Sequence, residues 1–158
     1  MTKGELAEQF FREGYNCSQS VLLAFSDEMG LKPDVAARIA SAFGGGVGRM
    51  REMCGTVTGM YLALGLMNGY SDPKDISAKR DLYADVQALA EIFRKDNGSI
   101  LCRELLSGAG ISVQDTPQAE IRTTAYYQKR PCAKLCAYAA QLLDDFLKGK
   151  NQNGNIDS

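Results

Sequence analysis

The stretch that decides the fold is "MCGTVTGMYLALGL", which runs from Met53 to Leu66. It carries no charged residue, and Gly55 and Gly59 are four residues apart, so they share one face of a helix. Small residues at this spacing let a second backbone approach closely. We therefore predict a buried helix that packs tightly through its glycine face and presents Cys54 to its surroundings.

The uncharged run extends as far as Ser71 and raises the question of a membrane span. Glycine, threonine and asparagine interrupt the run, and its strongly apolar part is shorter than the ~20 residues that a span requires. We therefore expect a core helix and no membrane span.

The composition of the chain narrows its class and its partners. With 158 residues, 45% of them hydrophobic and 23% charged, the chain is long enough for one domain with its own core. The formal net charge is −1, and no basic block is present, so no nucleic-acid partner is expected. The charged, amphipathic start "MTKGELAEQFFREGYNC" differs from a signal peptide and predicts a cytoplasmic, reducing location.

Histidine is absent from the sequence, and this excludes more chemistry than any other feature. A Ser-His-Asp or Cys-His catalytic site, a histidine zinc ligand and a histidine-ligated haem are all ruled out. The five cysteines are therefore the main candidates for chemistry. In a reducing compartment, clustered cysteines indicate metal or redox chemistry more often than structural disulfides.

Helical patterns dominate the chain and predict an all-α, single-domain helical bundle of about six to eight helices. We assign the domain to residues 1–148 and a disordered tail to 149–158. Asn16, Asp72 and Ser99 are the predicted helix caps. The predicted helices cover about 2–12, 17–30, 33–42, 50–67, 73–97, 99–106 and 131–148, with a weak helix after Pro117.

Four cysteines fall close to predicted helix N-termini. They are Cys17 after its cap, Cys54 about one turn into its helix, Cys102 in a first turn, and Cys132 directly after a proline. A helix N-terminus carries partial positive charge and free N–H groups, which lower the pKa of a thiol placed there. If the four ends converge, the fold holds four thiolates together; if they do not, each thiol packs separately in a helical core.

Cys136 differs from these four because it lies one helical turn beyond Cys132. We interpret it mainly as a small buried hydrophobic residue, which is a common role for a free cysteine. A metal-sharing or thiol couple with Cys132 is the alternative, although CxxxC is a weaker signal than CxxC.

The sequence resembles the C_GCAxxG_C_C family of redox-active proteins. The resemblance rests on "YNCSQSVLLAF", "FGGGVGRMREMCGTVTGMYLALGL", "CRELL" and "RPCAKLCAYAAQLL", and it covers roughly residues 6–147. It implies a small, mostly helical protein whose hallmark cysteines fall here on Cys17, Cys54, Cys102 and Cys132. Thr56 stands where an alanine is common, and Cys136 lies outside the hallmark set.

Three functions follow for the four cysteines. In the first, they act in redox chemistry, either as a thiol pair, for which Cys54 and Cys132 are the predicted catalytic residues, or as ligands of an iron–sulfur cluster or other metal. If a cluster or metal is bound, its predicted ligands are Cys17, Cys54, Cys102 and Cys132. The second is a structural zinc site without turnover. The third is a helical interaction protein in which the cysteines only pack.

The redox interpretation implies a partner, either a redox protein or a small-molecule oxidant or reductant. A homodimer is a further prediction, because exposed apolar helix stripes bind partners. The glycine-rich "GGGVGR" is a weak candidate for phosphate binding, because it lacks the GK[ST] ending of a P-loop. We expect its glycines to let the loop pass close to a neighbouring helix or to the cysteines, with Arg49 and Arg51 as possible sources of positive charge.

Overall fold

The computed structural model describes residues 1–156, and within that range the chain forms eight α-helices and no β-strand. The helices are α1 (Lys3–Arg12), α2 (Cys17–Ser26), α3 (Pro33–Ala40), α4 (Gly55–Asn68), α5 (Ile76–Asn97), α6 (Cys102–Gly108), α7 (Thr124–Lys129) and α8 (Cys132–Ile156). A 3-10 turn at Ser41–Phe43 follows α3. The predicted all-α class is confirmed.

Helix α2 occupies the centre of the bundle and packs against α1, α3, α4 and α8. Asn16 caps it as predicted: its side chain accepts from the Gln19 backbone N–H, and the Gln19 side chain accepts from the Asn16 backbone N–H. All residues of α2 after Gln19 are buried, and they are apolar or serine. A helix surrounded on several sides requires this composition.

The contact between α2 and α4 is made through the two glycines predicted to permit it. A Cβ built on Gly59 would lie 2.7 Å from the carbonyl oxygen of Ser18, and one built on Gly55 would lie 3.0 Å from the Cβ of Cys17. Real Cβ atoms do not approach a backbone oxygen so closely. The prediction of a close approach through this face is confirmed.

Helix α4 begins at Gly55, five residues later than the sequence predicts. The delay comes from a left-handed turn over residues 45–51. Positive φ angles of 56° to 71° occur at Gly45, Gly46, Val47, Gly48, Arg49 and Arg51. Such angles are uncommon for residues with a Cβ, and they prevent a right-handed helix from starting there.

A short backbone connection joins the residues before α4 to those before α6. Met53 and Leu101 form an isolated antiparallel bridge. The Cys54 N–H donates to the Ile100 carbonyl at 2.8 Å, and the Cys102 N–H donates to the Glu52 carbonyl at 2.7 Å. The bridge therefore fixes the starts of two helices side by side.

Three predicted caps or helix ends differ from the structure. Asp75, and not Asp72, caps α5, because Pro73 and Lys74 form a turn in which Asp72 accepts from the Lys74 N–H at 2.9 Å. Ser99 accepts from the Leu101 N–H, so α6 begins at Cys102 and not directly after Ser99. Helix α2 ends at Ser26, and a turn replaces the predicted continuation to residue 30.

The predicted end of α5 at Gly98 is confirmed by a left-handed φ of 91°. Helix α8 extends to Ile156, beyond the predicted end near Lys148, so the helix enters the segment predicted to be a disordered tail. Residues 157 and 158 of that tail lie outside the described residues. Among the eight helices, none is long and apolar enough over the described residues to cross a membrane.

Candidate functional site

Four cysteines lie at the N-termini of four helices. Cys17, Cys102 and Cys132 are the first residues of α2, α6 and α8, and Cys54 is the N-cap of α4. All four line one small cavity of about 70 Å³. The structure therefore brings these helix ends to one place, as the convergence hypothesis requires.

Cys17 is influenced by two other cysteines. The thiols of Cys132 and Cys136 have the largest effects on its pKa. The Cys136 thiol also donates to the Cys17 backbone carbonyl at 3.9 Å. Cys136 is therefore a neighbour of the site as well as a fully buried core residue, and its i+4 spacing from Cys132 is the sequence signal that indicates this.

The five cysteines are free thiols and differ in their access to solvent. Cys17 and Cys132 are partly exposed, whereas Cys54, Cys102 and Cys136 are buried. As whole residues, Cys17 and Cys132 are therefore more open to solvent than the other three cysteines.

Cys102 lies beside a buried cation supplied by the left-handed turn. The Arg51 guanidinium places Nη1 3.7 Å from the Cys102 sulfur, and Arg51 as a whole is only 5% exposed. The same turn packs closely against Cys102 at Gly46, because a Cβ built on Gly46 would lie 2.6 Å from the Cβ of Cys102. The expectation that the glycine-rich loop passes close to the cysteines is confirmed.

Cys54 has a polar partner within its own helix. Its sulfur lies 3.1 Å from the hydroxyl oxygen of Thr56, which is fully buried. Thr56 is the residue that replaces the alanine common in the resembled motif. The substitution therefore adds a hydrogen bond to the Cys54 thiol as well as preserving a small side chain.

All five thiols have a raised pKa, whereas helix N-termini alone would lower it. Burial raises the pKa of Cys54 to about 11, and burial also raises the pKa of Cys136 and of Cys102, where Arg51 offsets part of the effect. The Cys17 contact and burial raise the pKa of Cys132 well above its usual range. For Cys17, the contact with Cys132 lowers the pKa, but the Cys136 contact and burial outweigh it.

The raised pKa of Cys54 predicts a loss of stability in alkali. The unfolded chain releases this proton near the ordinary pKa of 9.0, whereas the folded protein holds it to about 11. The free energy of unfolding is therefore unaffected below pH 9 and falls by about 1.4 kcal/mol per pH unit between these values.

Urea unfolding of wild type and Cys54→Ala from pH 7 to 11 measures this effect. Between pH 9 and 11, the free energy of unfolding of the variant should fall less steeply with pH, by the equivalent of one proton. This holds even if the variant is less stable at pH 7. Equal slopes in the two proteins would contradict the prediction.

The predicted metal ligands line one cavity without forming a metal-binding group. Over residues 1–156, no set of three or more histidine, cysteine, aspartate or glutamate side chains is arranged to hold a metal ion. The assignment of Cys17, Cys54, Cys102 and Cys132 as metal or cofactor ligands therefore stays a prediction. The donor set itself, four thiols, is one that zinc and iron–sulfur clusters use.

The structure adds two residues to the site that the sequence reasoning did not select. Arg122 and Arg130 line the cysteine cavity together with Arg51. Arg130 directly precedes Pro131 and the start of α8 at Cys132. Its place beside the cysteines could have been predicted, because a residue that flanks a helix N-terminus lies near the first turn of that helix. Arg122 comes from the irregular segment before α7, where the sequence pattern gave no indication.

Comparison with known proteins gives one match. The chain matches the family described as "Putative redox-active protein (C_GCAxxG_C_C)" over residues 15–146. Curated proteins and solved structures gave no match. The matched range contains every cysteine of the cavity, and the chain belongs to the C_GCAxxG_C_C family.

Proposed function

We propose that this protein carries out thiol–disulfide exchange and that Cys17 and Cys132 are its redox pair. The observation that carries the proposal is that Cys17 and Cys132 line the same cavity and are the two partly exposed residues of the cysteine set. Cys54, which the sequence analysis paired with Cys132, is 5% exposed and has Thr56 as its polar partner. Cys17 is therefore the better partner for Cys132.

Cys132 is the attacking thiol in this proposal. The charges of Arg130 and Arg51 favour its thiolate, which opposes the effects of Cys17 and burial on its pKa. Cys17 lines the same cavity and is assigned the role of resolving the intermediate. The substrate is a disulfide, in a small molecule or a partner protein.

The exchange proceeds in two balanced steps. Cys132 loses its proton and attacks one substrate sulfur, which breaks the substrate S–S bond, forms a mixed disulfide and releases one thiolate that takes up a proton. Cys17 then loses its proton and attacks the Cys132 sulfur, which releases the second substrate thiol and forms the Cys17–Cys132 bond. The protein pair loses two electrons, and the substrate disulfide gains them.

Peptide mapping after oxidation tests the proposal. Protein purified without oxygen is treated with one equivalent of 2-hydroxyethyl disulfide, and its free thiols are counted before and after. We expect the number of free thiols to fall from five to three, with Cys17 and Cys132 in one cross-linked peptide and full reversal by dithiothreitol. A different linked pair, or no intramolecular bond, would refute the assignment.

Metal or cluster ligation by the four hallmark cysteines is the second candidate, and their position around one cavity favours it. Iron, zinc and acid-labile sulfide are therefore measured in the same anaerobic preparation together with a visible spectrum. Iron with sulfide would support a cluster, and zinc would support a structural site. The cytoplasmic location and the homodimer stay predictions from the sequence.

A further inference from the structure

A second cavity of about 430 Å³ adjoins the cysteine cavity. The two cavities have lining residues in common: Asn16, Gly45, Arg51, Arg122, Tyr126 and Arg130. A molecule held in the larger cavity therefore lies next to the thiols.

Positive charge is concentrated in this second cavity. Four arginines line it, namely Arg49, Arg51, Arg122 and Arg130. Among the described residues, Glu120 supplies the negative charge of the lining, and it pairs with Arg130 and with Arg49 Nη2 at 3.6 Å. The cavity thus carries a clear excess of positive charge, although the chain as a whole has a formal charge of −1.

The remaining partners of these arginines are neutral groups. Arg51 Nε donates to the Gln114 carbonyl at 2.8 Å. Arg122 donates to the Phe11 carbonyl at 2.7 Å, and its guanidinium lies 4.2 Å from the Phe11 ring centroid. These contacts position the guanidinium groups without compensating their charge.

Arg49 provides the second observation that points to a ligand. Its side chain is 13% exposed, and its Nη1 atom is fully buried without a hydrogen-bond partner among the described residues. A buried polar group without a partner is costly, and a buried charged group is more so. The backbone around Arg49 is also held in the left-handed region, with φ 66°. An anion in the cavity would offset the charge of this guanidinium group.

We propose that the arginine-lined cavity binds an anionic small molecule through an oxyanion group, such as a phosphate or a carboxylate. The planar guanidinium fork binds both groups through paired hydrogen bonds. The assignment of this anion as part of the disulfide substrate rests on the proposed function, whereas anion binding itself does not. The bound group would hold the substrate with its sulfur atoms facing Cys132.

Thermal melting with inorganic phosphate tests binding without any thiol chemistry. Melting temperatures of the reduced protein are measured over a range of sodium phosphate concentrations and compared with sodium chloride at equal ionic strength. A ligand of the native state raises the melting temperature as its concentration exceeds its dissociation constant. We expect a saturable rise with phosphate, and parallel melts with malonate distinguish a phosphate site from a carboxylate site.

Three variants make the binding test specific. Arg49→Gln should weaken binding of the preferred anion at least tenfold, and Glu120→Gln should strengthen it, which loss of folding cannot imitate. Arg80→Gln removes an equal charge from an exposed helix position, where Arg80 pairs with Asp81, and should leave binding unchanged. No saturable rise with either anion, or equal affinities in Arg49→Gln and wild type, would overturn the proposal.

Three small disulfides of different charge test the link to the thiols. Dithiodiglycolate is a dianion, 2-hydroxyethyl disulfide is neutral and cystamine is a dication. Complementary charge raises association rates by about 10- to 1000-fold, so we expect the dianion to oxidise the protein at least tenfold faster than the dication. Arg49→Gln should reduce this ratio, whereas Arg80→Gln should not.

The two tests separate the two proposals. Anion binding that depends on Arg49, without reaction of any disulfide, would support the anion site and refute the exchange function. Oxidation by all three disulfides at equal rates, without anion binding, would support exchange and refute the anion site.

Discussion

Replacing Gly59 with alanine is expected to lower the free energy of unfolding by about 2–3 kcal/mol, the upper part of the range for overpacked sites. The added Cβ would meet the carbonyl oxygen of Ser18 at 2.7 Å, and the Val21 Cβ at 3.0 Å. Neither atom can move alone, because one belongs to the backbone of α2 and the other to a buried branched side chain. The two helices must therefore separate.

Gly65→Ala is the matched control, because it lies on the same helix with no atom within 4 Å of the added Cβ outside that helix and its chain neighbours. An alanine inside a helix is favoured over glycine by about 0.5–1 kcal/mol, so this variant should be slightly more stable than wild type. Urea unfolding of the three proteins measures both effects. Equal stability of Gly59→Ala and wild type would contradict the close packing of α2 on α4.

Replacing Cys17 with serine is expected to stop exchange with 2-hydroxyethyl disulfide at the mixed disulfide. Cys132 still attacks, but no thiol in the correct position remains to release the second half of the reagent. Cys132→Ser should lose the rapid reaction with this reagent, because the attacking thiol is absent. Intact-mass spectrometry at short reaction times distinguishes the trapped adduct from unreacted and oxidised protein.

Cys136→Ala provides the control for this pair. Cys136 is fully buried and also contacts Cys17, so it is the nearest rival for the resolving role. The variant should form the Cys17–Cys132 bond at a rate close to that of wild type, although loss of buried volume will lower its stability. A trapped mixed disulfide in Cys136→Ala would instead assign resolution to Cys136.

The helix N-termini of the site were largely predictable from local sequence. Asn16 before α2 and Pro131 before α8 are strong start signals, and the structure places Cys17 and Cys132 immediately inside those helices. Their effect on the thiols was not predictable, because burial is a property of the assembled bundle. The effects of neighbouring thiols together with burial raise the pKa of Cys17 and Cys132, and burial raises the pKa of the other three thiols.

The start of α4 shows where local sequence reasoning fails. The uncharged run favours a helix from Met50, but the left-handed turn before it includes Val47, a branched residue at φ 66°. Local backbone hydrogen bonds close this turn, for example from the Arg49 N–H to the Gly44 carbonyl at 3.2 Å. A distant residue also contacts the turn, because the Arg103 N–H donates to the Arg51 carbonyl at 3.2 Å, and helix periodicity indicates neither kind of bond.

The arginine cavity was only half predictable for a similar reason. Arg49 and Arg51 lie in and directly after the glycine-rich motif, where their charge can be read from the sequence. Arg122 enters from an irregular segment whose position depends on packing against Phe11. A single sequence contains no periodic pattern that predicts where a residue in an irregular segment, such as Arg122, will lie.

The positions of Cys17 and Cys132 in the chain have a consequence for the stability of the oxidised protein. Cys17 begins the second helix and Cys132 begins the last one, so a covalent bond between them would close most of the chain into a single ring. For a ring of about 100 residues, the loss of freedom in the unfolded chain corresponds to about 4.7 kcal/mol. The oxidised molecule would resist heat and proteases better than the reduced one. The redox state of the cysteine pair would therefore also control how long the protein stays folded.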